Sequence, residues 1–224
     1  MTGPTAGQTW RSSLIVGIGV FLMSAAWAFS GPIGAVPEEP AHDFKAASVV
    51  RGEFVGQATS QPAVTRVSVP RSLAVASAWP CFAYAPEVSA SCQSDFGADA
   101  KMVDAETSAG MYNPIYYLIV GVPSLIDLDP TFVVWGMRLL TGLVAAALIA
   151  GTFTVLSRIM SRLASIALLV SLLTPMVIFL TAIVNPNAWE ILGGLGFLAG
   201  MLWFSVSPVV SGRAGKMPAI LVGA

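Results

Sequence analysis

Hydrophobic and polar positions along the chain fall into blocks far longer than the periods of a soluble fold. Ser12 to Phe29 (SSLIVGIGVFLMSAAWAF) carries no charge and is close to the ~17–25 residues that cross a bilayer as a helix. Three further apolar runs follow: Phe132 to Leu156, broken only by Arg138, then Leu163 to Val184, then Ala188 to about Val206. Between the first and second runs lies a polar stretch, 31–131, punctuated by Pro and Gly. It holds one shorter apolar piece, Ile115 to Ile126, whose 12 residues are too few to span. The pattern predicts an all-α integral membrane protein with about four transmembrane helices, at 12–30, 132–156, 163–184 and 188–207. A short segment 1–11 precedes them, the loop 31–131 separates the first two, and 208–224 follows the last.

Composition agrees with the pattern. Of 224 residues, 55% are hydrophobic and 10% charged, where a soluble domain carries about 25% charged residues. That excludes an ordinary water-facing enzyme, and the apolar content excludes a disordered chain. A net charge of −1 provides no basic footprint for nucleic acid.

Positive charges favour cytoplasmic loops, and they give the topology. Arg11 precedes the first run, Arg158 and Arg162 lie between the second and third, and Arg213 and Lys216 follow the fourth. With the N-terminus inside, all five are cytoplasmic and 31–131 is exported. That loop holds 11 acidic and 5 basic residues. A cleaved secretory signal ending at Ala26-Trp27-Ala28 is the competing reading of the first run. The run is long for a signal core, so a retained helix is expected.

About 100 residues is too long for a simple connector, so the exported loop is expected to fold on the membrane surface. Its two cysteines, Cys81 and Cys92, enclose CFAYAPEVSASC and in an exported segment predict a disulfide. Their spacing is not C-x-x-C and the single histidine is distant in sequence, which argues against a metal or redox site. Gln61 to Pro70 (QPAVTRVSVP) alternates as a short strand. Arg71 to Trp79 suits a helical turn or two, and the acidic Asp95 to Gly110 reads as a solvated connector.

The exit from the first helix carries candidate chemistry. Gly31 to Pro37 is rich in helix breakers, and Glu38-Glu39-Pro40-Ala41-His42 follows. Pro40 suits the first turn of a helix running to about Arg51, with Gly52 as its C′ residue. Glu38 and Glu39 then sit at the positive end of the helix dipole, and His42, three and four residues on, shares their face. Two readings stand: an acidic, solvated helix start, or general-base chemistry by Glu38, Glu39 and His42 on a hydroxyl acceptor. No metal-ligand pattern is complete.

These residues resemble a family. GPIGAVPEEPAHDFKAASVVRGEFVG is similar to the P-P-D-E-P-A-H-F signature of domain-of-unknown-function family 2142, multi-spanning membrane proteins of actinobacteria. VSVPRSLA, CFAYAPEVSASC, NPIYYLIVGVPSL, MRLLTGL and NPNAWE follow in the same order, so the likeness covers nearly all of 12–205. Val36 replaces the first Pro of the signature, Glu38 its Asp, and Asp43 is inserted between His42 and Phe44.

The resemblance implies the N-terminal part of a GT-C-like glycosyltransferase in the bacterial cytoplasmic membrane. Such enzymes transfer sugars from polyprenyl-phosphate carriers to glycan acceptors of the envelope, with an acidic motif in the first exported loop, here Glu38 and Glu39. It makes Tyr116 and Tyr117 part of a surface or re-entrant helix facing a cleft. Arg138, about two turns into its helix, is read either as a ligand for the lipid phosphate or as a snorkelling side chain. Asn185, Asn187 and Glu190 are read as cleft-lining or as a tight turn. The expected substrate is a polyprenyl-phosphate-linked sugar, with no confident cofactor, and the expected partners are the bilayer, the carrier lipid and the acceptor.

The chain stops within an apolar stretch (MPAILVGA), so a truncated copy is expected. A non-catalytic assembly or transport partner is therefore the alternative to an enzyme. A secondary transporter lacks an inverted repeat or paired broken helices.

Overall fold

The computed structural model describes residues 6–77, 80–93 and 95–206. In chain order the elements are α1 (Ala6–Ser30), α2 (Glu39–Val49), β1 (Gln57–Ala58), β2 (Thr65–Pro70), α3 (Arg71–Ala76) and β3 (Met102–Thr107). They continue with α4 (Pro114–Val120), α5 (Pro123–Ile126), α6 (Pro130–Leu156), α7 (Arg162–Leu172), α8 (Pro175–Thr181) and α9 (Asn187–Val206). Three helices among the described residues are long and apolar enough to cross a membrane: Thr9–Ser30 of α1, α6 and α9. At 1.5 Å per residue the 27 residues of α6 extend roughly 40 Å, more than a hydrocarbon core.

The segment expected to span at 163–184 consists of two helices, α7 and α8, bent by 81° at a short break, and the pair together is long and apolar enough for one broken span or a re-entrant loop. Proline sets the break. Pro175 has no N–H to continue α7, and Thr174 restarts the helix by accepting the Val177 N–H at 3.3 Å on its Oγ1. The segment 208–224, with Arg213 and Lys216, lies outside the described residues.

The chain divides into two compact units. The first comprises α1 up to Ser24, α6 from Gly142, and α7, α8 and α9. Its core is aliphatic, built on Ala145, Ile149, Phe153, Leu169, Leu192 and Ala199. Small residues set the helix contacts, as expected where lipid removes the hydrophobic drive and close packing must replace it. A Cβ on Gly17 would stand 3.2 Å from that of Ala150, and one on Gly142 would stand 3.1 Å from that of Ser24. Hydroxyl pairs join α1 to α6, Ser13 to Thr154 at 2.6 Å, and α1 to α8, Ser24 to Thr181 at 2.7 Å.

The second unit holds 25–141 together with 182–185. Contrary to the all-α expectation, it contains a three-stranded antiparallel sheet ordered β1-β2-β3. The strand expected over Gln61 to Pro70 is β2. Its partner β3 lies inside the stretch expected to be a solvated connector, pairing from Thr65↔Thr107 to Pro70↔Met102. β3 hides its alternation because its covered positions, Val103, Ala105 and Thr107, are small or polar, while Asp104 and Glu106 face out.

α2 packs on this sheet and on α4, so it is buried on nearly every side although its sequence is polar. Each long polar residue therefore needs an internal partner. Lys45 Nζ donates to the carbonyls of Phe54 and Gly110, both at 2.6 Å. Arg51 donates to the Ala47 carbonyl at 2.8 Å and to Ser124 Oγ at 2.9 Å. The helix ends at Val49, two residues before the expected Arg51, with Val50 as its C-cap; Gly52, in the turn that follows, adopts φ 92° and its N–H bonds the Val49 carbonyl.

α2 and α4 approach closely at Gly121, where a Cβ would overlap the Ala46 carbonyl oxygen and stand 2.6 Å from Val50 Cγ1. Gly121→Ala should therefore cost about 1–3 kcal/mol through overpacking. Gly151, with nothing within 4 Å of its Cβ direction, should accept Ala neutrally or with a slight gain. Thermal unfolding of the detergent-solubilised variants checks both. Equal melting temperatures would show that the α2–α4 approach is looser than described.

Candidate functional site

The end of α1 and the beginning of α2 supply opposite partial charges. The last carbonyls of a helix lack intrahelical partners, as do its first N–H groups; cations suit the former end and carboxylates the latter. Arg138, on α6, exploits both. Its Nη1 donates to the carbonyls of Ala28 (2.8 Å) and Gly31 (2.6 Å) at the α1 terminus. Its Nε and Nη2 hold the two carboxylate oxygens of Glu39 at 2.8 and 2.6 Å, a bidentate fork at the first residue of α2. Nη2 also reaches the Pro32 carbonyl at 3.3 Å. Glu39 Oε1 accepts in addition the Val184 N–H at 3.0 Å. Both side chains are fully buried, a situation tolerated only when the remaining lone pairs and protons are satisfied.

Asp43, one turn beyond Glu39, is 1% exposed, and its Oδ1 has no hydrogen-bond partner among the described residues. Burial and the neighbouring Glu39 push its carboxyl well above 3.8, against the opposing pull of Arg138. His42 is buried as well. Its Nδ1 is 2.7 Å from the Tyr117 hydroxyl, and its ring stacks on Tyr117 and meets Tyr112 edge-on. Burial lowers the imidazole to about 4. The Tyr116 hydroxyl pairs with Thr141 Oγ1 at 2.8 Å. Burial raises the Tyr116 phenol, and a bond from the Asn185 backbone partly offsets this.

The structure thus gathers Glu39, His42, Tyr116, Tyr117, Arg138 and Asn185 around one buried polar cluster, to which it adds Asp43, Thr141 and Val184. Every Arg138 donor direction is taken by a protein group, so a phosphate there would have to displace one. Asn187 and Glu190 are exposed at the start of α9.

Glu38 is set apart. It is exposed, its backbone takes the left-handed conformation (φ 64°), and its side chain does not cap α2. Among the described residues its carboxylate has neither a hydrogen bond nor an ion pair. It borders a cavity of about 570 Å³, whose wall also includes Pro37, Ser77, Phe82 and Tyr84. Phe82 and Tyr84 belong to the loop closed by the disulfide Cys81–Cys92, so the expected bridge is present. Among the described residues no group of three or more His, Cys, Asp and Glu side chains is arranged to hold a metal.

Sequence reasoning missed Asp43 as a member of the cluster, although its i,i+4 spacing from Glu39 was a usable signal. It also missed Ser77, Phe82 and Tyr84, for which only their closeness to the cysteine pair offered a hint.

The two buried titrating groups act on stability in opposite directions. The neutral His42 ring contributes fully above pH 6.5, and about 3 kcal/mol is lost as pH falls toward 4. Asp43, raised above 3.8, contributes fully below about pH 4, and its contribution is lost as pH rises through the native value. Asp43→Asn should remove the loss that accompanies rising pH, and His42→Gln the loss as pH falls toward 4, in melting temperatures followed as a function of pH. An unchanged loss with rising pH in Asp43→Asn would show that the Asp43 carboxyl is not its source.

No curated protein and no solved structure matches the chain. A family model described as predicted membrane protein (DUF2142) matches residues 21–223, which include the buried cluster, the Glu38 cavity and all three candidate spans except the start of α1. The chain belongs to this family of membrane proteins.

Proposed function

We propose that the protein is a membrane-embedded transferase acting on a polyprenyl-phosphate-linked sugar, with Glu38 as the general base toward the acceptor hydroxyl. The observation that carries this reading is the different fate of two adjacent carboxylates. Glu39 is consumed by Arg138 and Val184 and has no lone pair directed at solvent chemistry. Glu38 is exposed at the edge of a cavity, where a carboxylate can accept a proton from a bound hydroxyl as it attacks. In this division Glu39, His42 and Arg138 are positioning residues, fixing the α1 exit and the α2 start between which Glu38 is held.

The same reading places the protein in a bacterial cytoplasmic membrane with the N-terminus inside, four crossings, and 31–131 outside. Arg11, Arg158 and Arg162 then face the cytoplasm. Two contacts support α7 and α8 together as one crossing. Arg158, just after α6, lies 5.4 Å over the Trp203 ring near the end of α9, which puts those two helix ends on one side. Val184, just after α8, bonds Glu39 beside the α1 exit.

Glu38→Gln should reduce sugar transfer from a polyprenyl-phosphate donor by about 10²–10⁴-fold and leave the melting temperature unchanged. Glu39→Gln should instead destabilise by about 3–5 kcal/mol, because it strands a buried guanidinium. Transfer that survives Glu38→Gln at the wild-type rate would eliminate Glu38 as the base. For the topology, Ser60→Cys, at an exposed position, should react with a membrane-impermeant maleimide in intact cells. Labelling seen only after lysis would reverse the orientation.

A further inference from the structure

Between Glu106 and Asp127 the sequence carries no charged residue, and within this stretch lie two short helices in one phase. Gly121 and Val122, which join α4 to α5, keep right-handed helical dihedrals (φ −73°, ψ −14° and φ −52°, ψ −41°). One face of the joined helices packs into the protein. Tyr116, Tyr117, Val120 and Ser124 are buried there. Tyr117 lies against His42, and Arg51 holds α5 through the Ser124 hydroxyl and carbonyl.

The opposite face is apolar as well. Ile115, Leu118, Ile119, Val122, Leu125 and Ile126 follow the i, i+3, i+4, i+7 spacing of a helical stripe, and each is between 41% and 71% exposed. A contiguous apolar patch of this kind marks a surface that something covers. All six side chains are aliphatic, so the patch offers no hydrogen bond, where a protein interface carries about one per 100–200 Å².

Position along α6 identifies the cover. Only Asp127, Leu128 and Asp129 separate α5 from α6. Pro123, the first residue of α5, sits against Gly136, where a Cβ would stand 2.8 Å from the proline Cβ. The rise from Pro130 to Gly136 is about 9 Å at 1.5 Å per residue. Tyr116 reaches further along α6, to Thr141. α4 and α5 therefore flank the first turns of a candidate span instead of standing beyond its end. Aromatic side chains mark the level. Trp135, beside Gly136, meets Phe29 edge-on at 5.3 Å, and Trp27 and Phe132 are exposed. Trp is enriched where hydrocarbon gives way to headgroups. At roughly 40 Å, α6 exceeds a ~30 Å hydrocarbon core, so its first turns suit that zone.

We propose that α4 and α5 form one interfacial helix, lying in the leaflet that α6 enters at Pro130, with the six aliphatic side chains among the lipid acyl chains just below the headgroups. The partner is the bilayer surface. Interfacial helices bury their apolar face about 5–10 Å into the headgroup boundary, which matches the ~9 Å from Pro130 to Gly136. The polar face such helices usually turn to water is replaced here by contacts with His42 and Arg51. The helix thereby fastens the second unit to lipid at a place outside the long spans. The leaflet is defined by the end of α6, whichever way the chain is oriented, and no transferase activity enters.

Nitroxide labels on single added cysteines test it in the full chain, reconstituted in phosphatidylcholine vesicles, with the native Cys81 and Cys92 held in their disulfide. Leu118→Cys, Val122→Cys and Ile126→Cys carry the label on the outward face, and Ser60→Cys carries it at an exposed polar position. Power-saturation spectra compare collisions with oxygen, which concentrates in lipid, and with a water-soluble nickel chelate. In variants that melt as the wild type does, the oxygen-to-nickel ratio should exceed unity at Leu118→Cys, Val122→Cys and Ile126→Cys and fall below it at Ser60→Cys. A ratio below unity on the outward face would place that face in water and overturn the proposal. Suppressed collisions with both reagents there would mean that a protein partner or a second copy of the chain covers the face, which would overturn it equally.

Discussion

A buried arginine dictates the architecture of the polar unit. Arg138 lies on a helix apolar enough to cross a bilayer, and isolated there its charge would be prohibitive. The fold meets this with protein groups alone: the open carbonyls at the end of α1, and the carboxylate at the beginning of α2. To deliver those partners the chain must break after α1, turn within a few residues and restart a helix at Glu39. The breaker-rich stretch from Gly31 to Pro37 and the proline at position 40 follow from that requirement. Val184, bonded to the same carboxylate, brings the turn before α9 into the arrangement. Three separate segments thus meet α6 at one buried ion pair, which specifies geometry more surely than it adds stability.

That convergence explains why neighbouring glutamates differ so completely. Once Glu39 is turned inward to Arg138, the residue before it must take the reverse orientation, and Glu38 reaches this with a left-handed backbone. Asp tolerates that region better than Glu does. The packed first unit shows the complementary strategy. With no charge among its core residues, it relies on glycine, alanine and hydroxyl contacts at close range, and needs no convergent hub.

Much of this was legible in the sequence, for identifiable reasons. Length and apolarity alone locate α1, α6 and α9, since nothing else accounts for uncharged runs of that size. The start and stop of α2 were written in Pro40 and Gly52, and the disulfide in the only cysteine pair. Arg138 and Glu39 were each conspicuous, yet their union was not, because a contact across 99 positions leaves no periodic trace. The sequence therefore offers Arg138 a lipid phosphate or the headgroups, whereas its partner is Glu39. β3 escaped because its inward face is small, so its alternation of hydrophobicity is faint. The 81° break escaped because a hydropathy window averages across Pro175. The cavity escaped because it is assembled from the α1 exit and a disulfide loop that no local pattern links.

The bridge between Cys81 and Cys92 has a temporal consequence. A protein disulfide forms where thiols are oxidised, not in the reducing cytoplasm. Under the proposed topology the aromatic loop therefore remains open while the chain is being made, and takes its final shape only after crossing the membrane. The buried cluster needs no such step, as it uses hydrogen bonds and charge alone. Biogenesis then has an order, in which the scaffold around Arg138 precedes the aromatic wall. A chain retained on the wrong side would carry the scaffold and lack the wall, so the surface facing Glu38 matures only at its place of use.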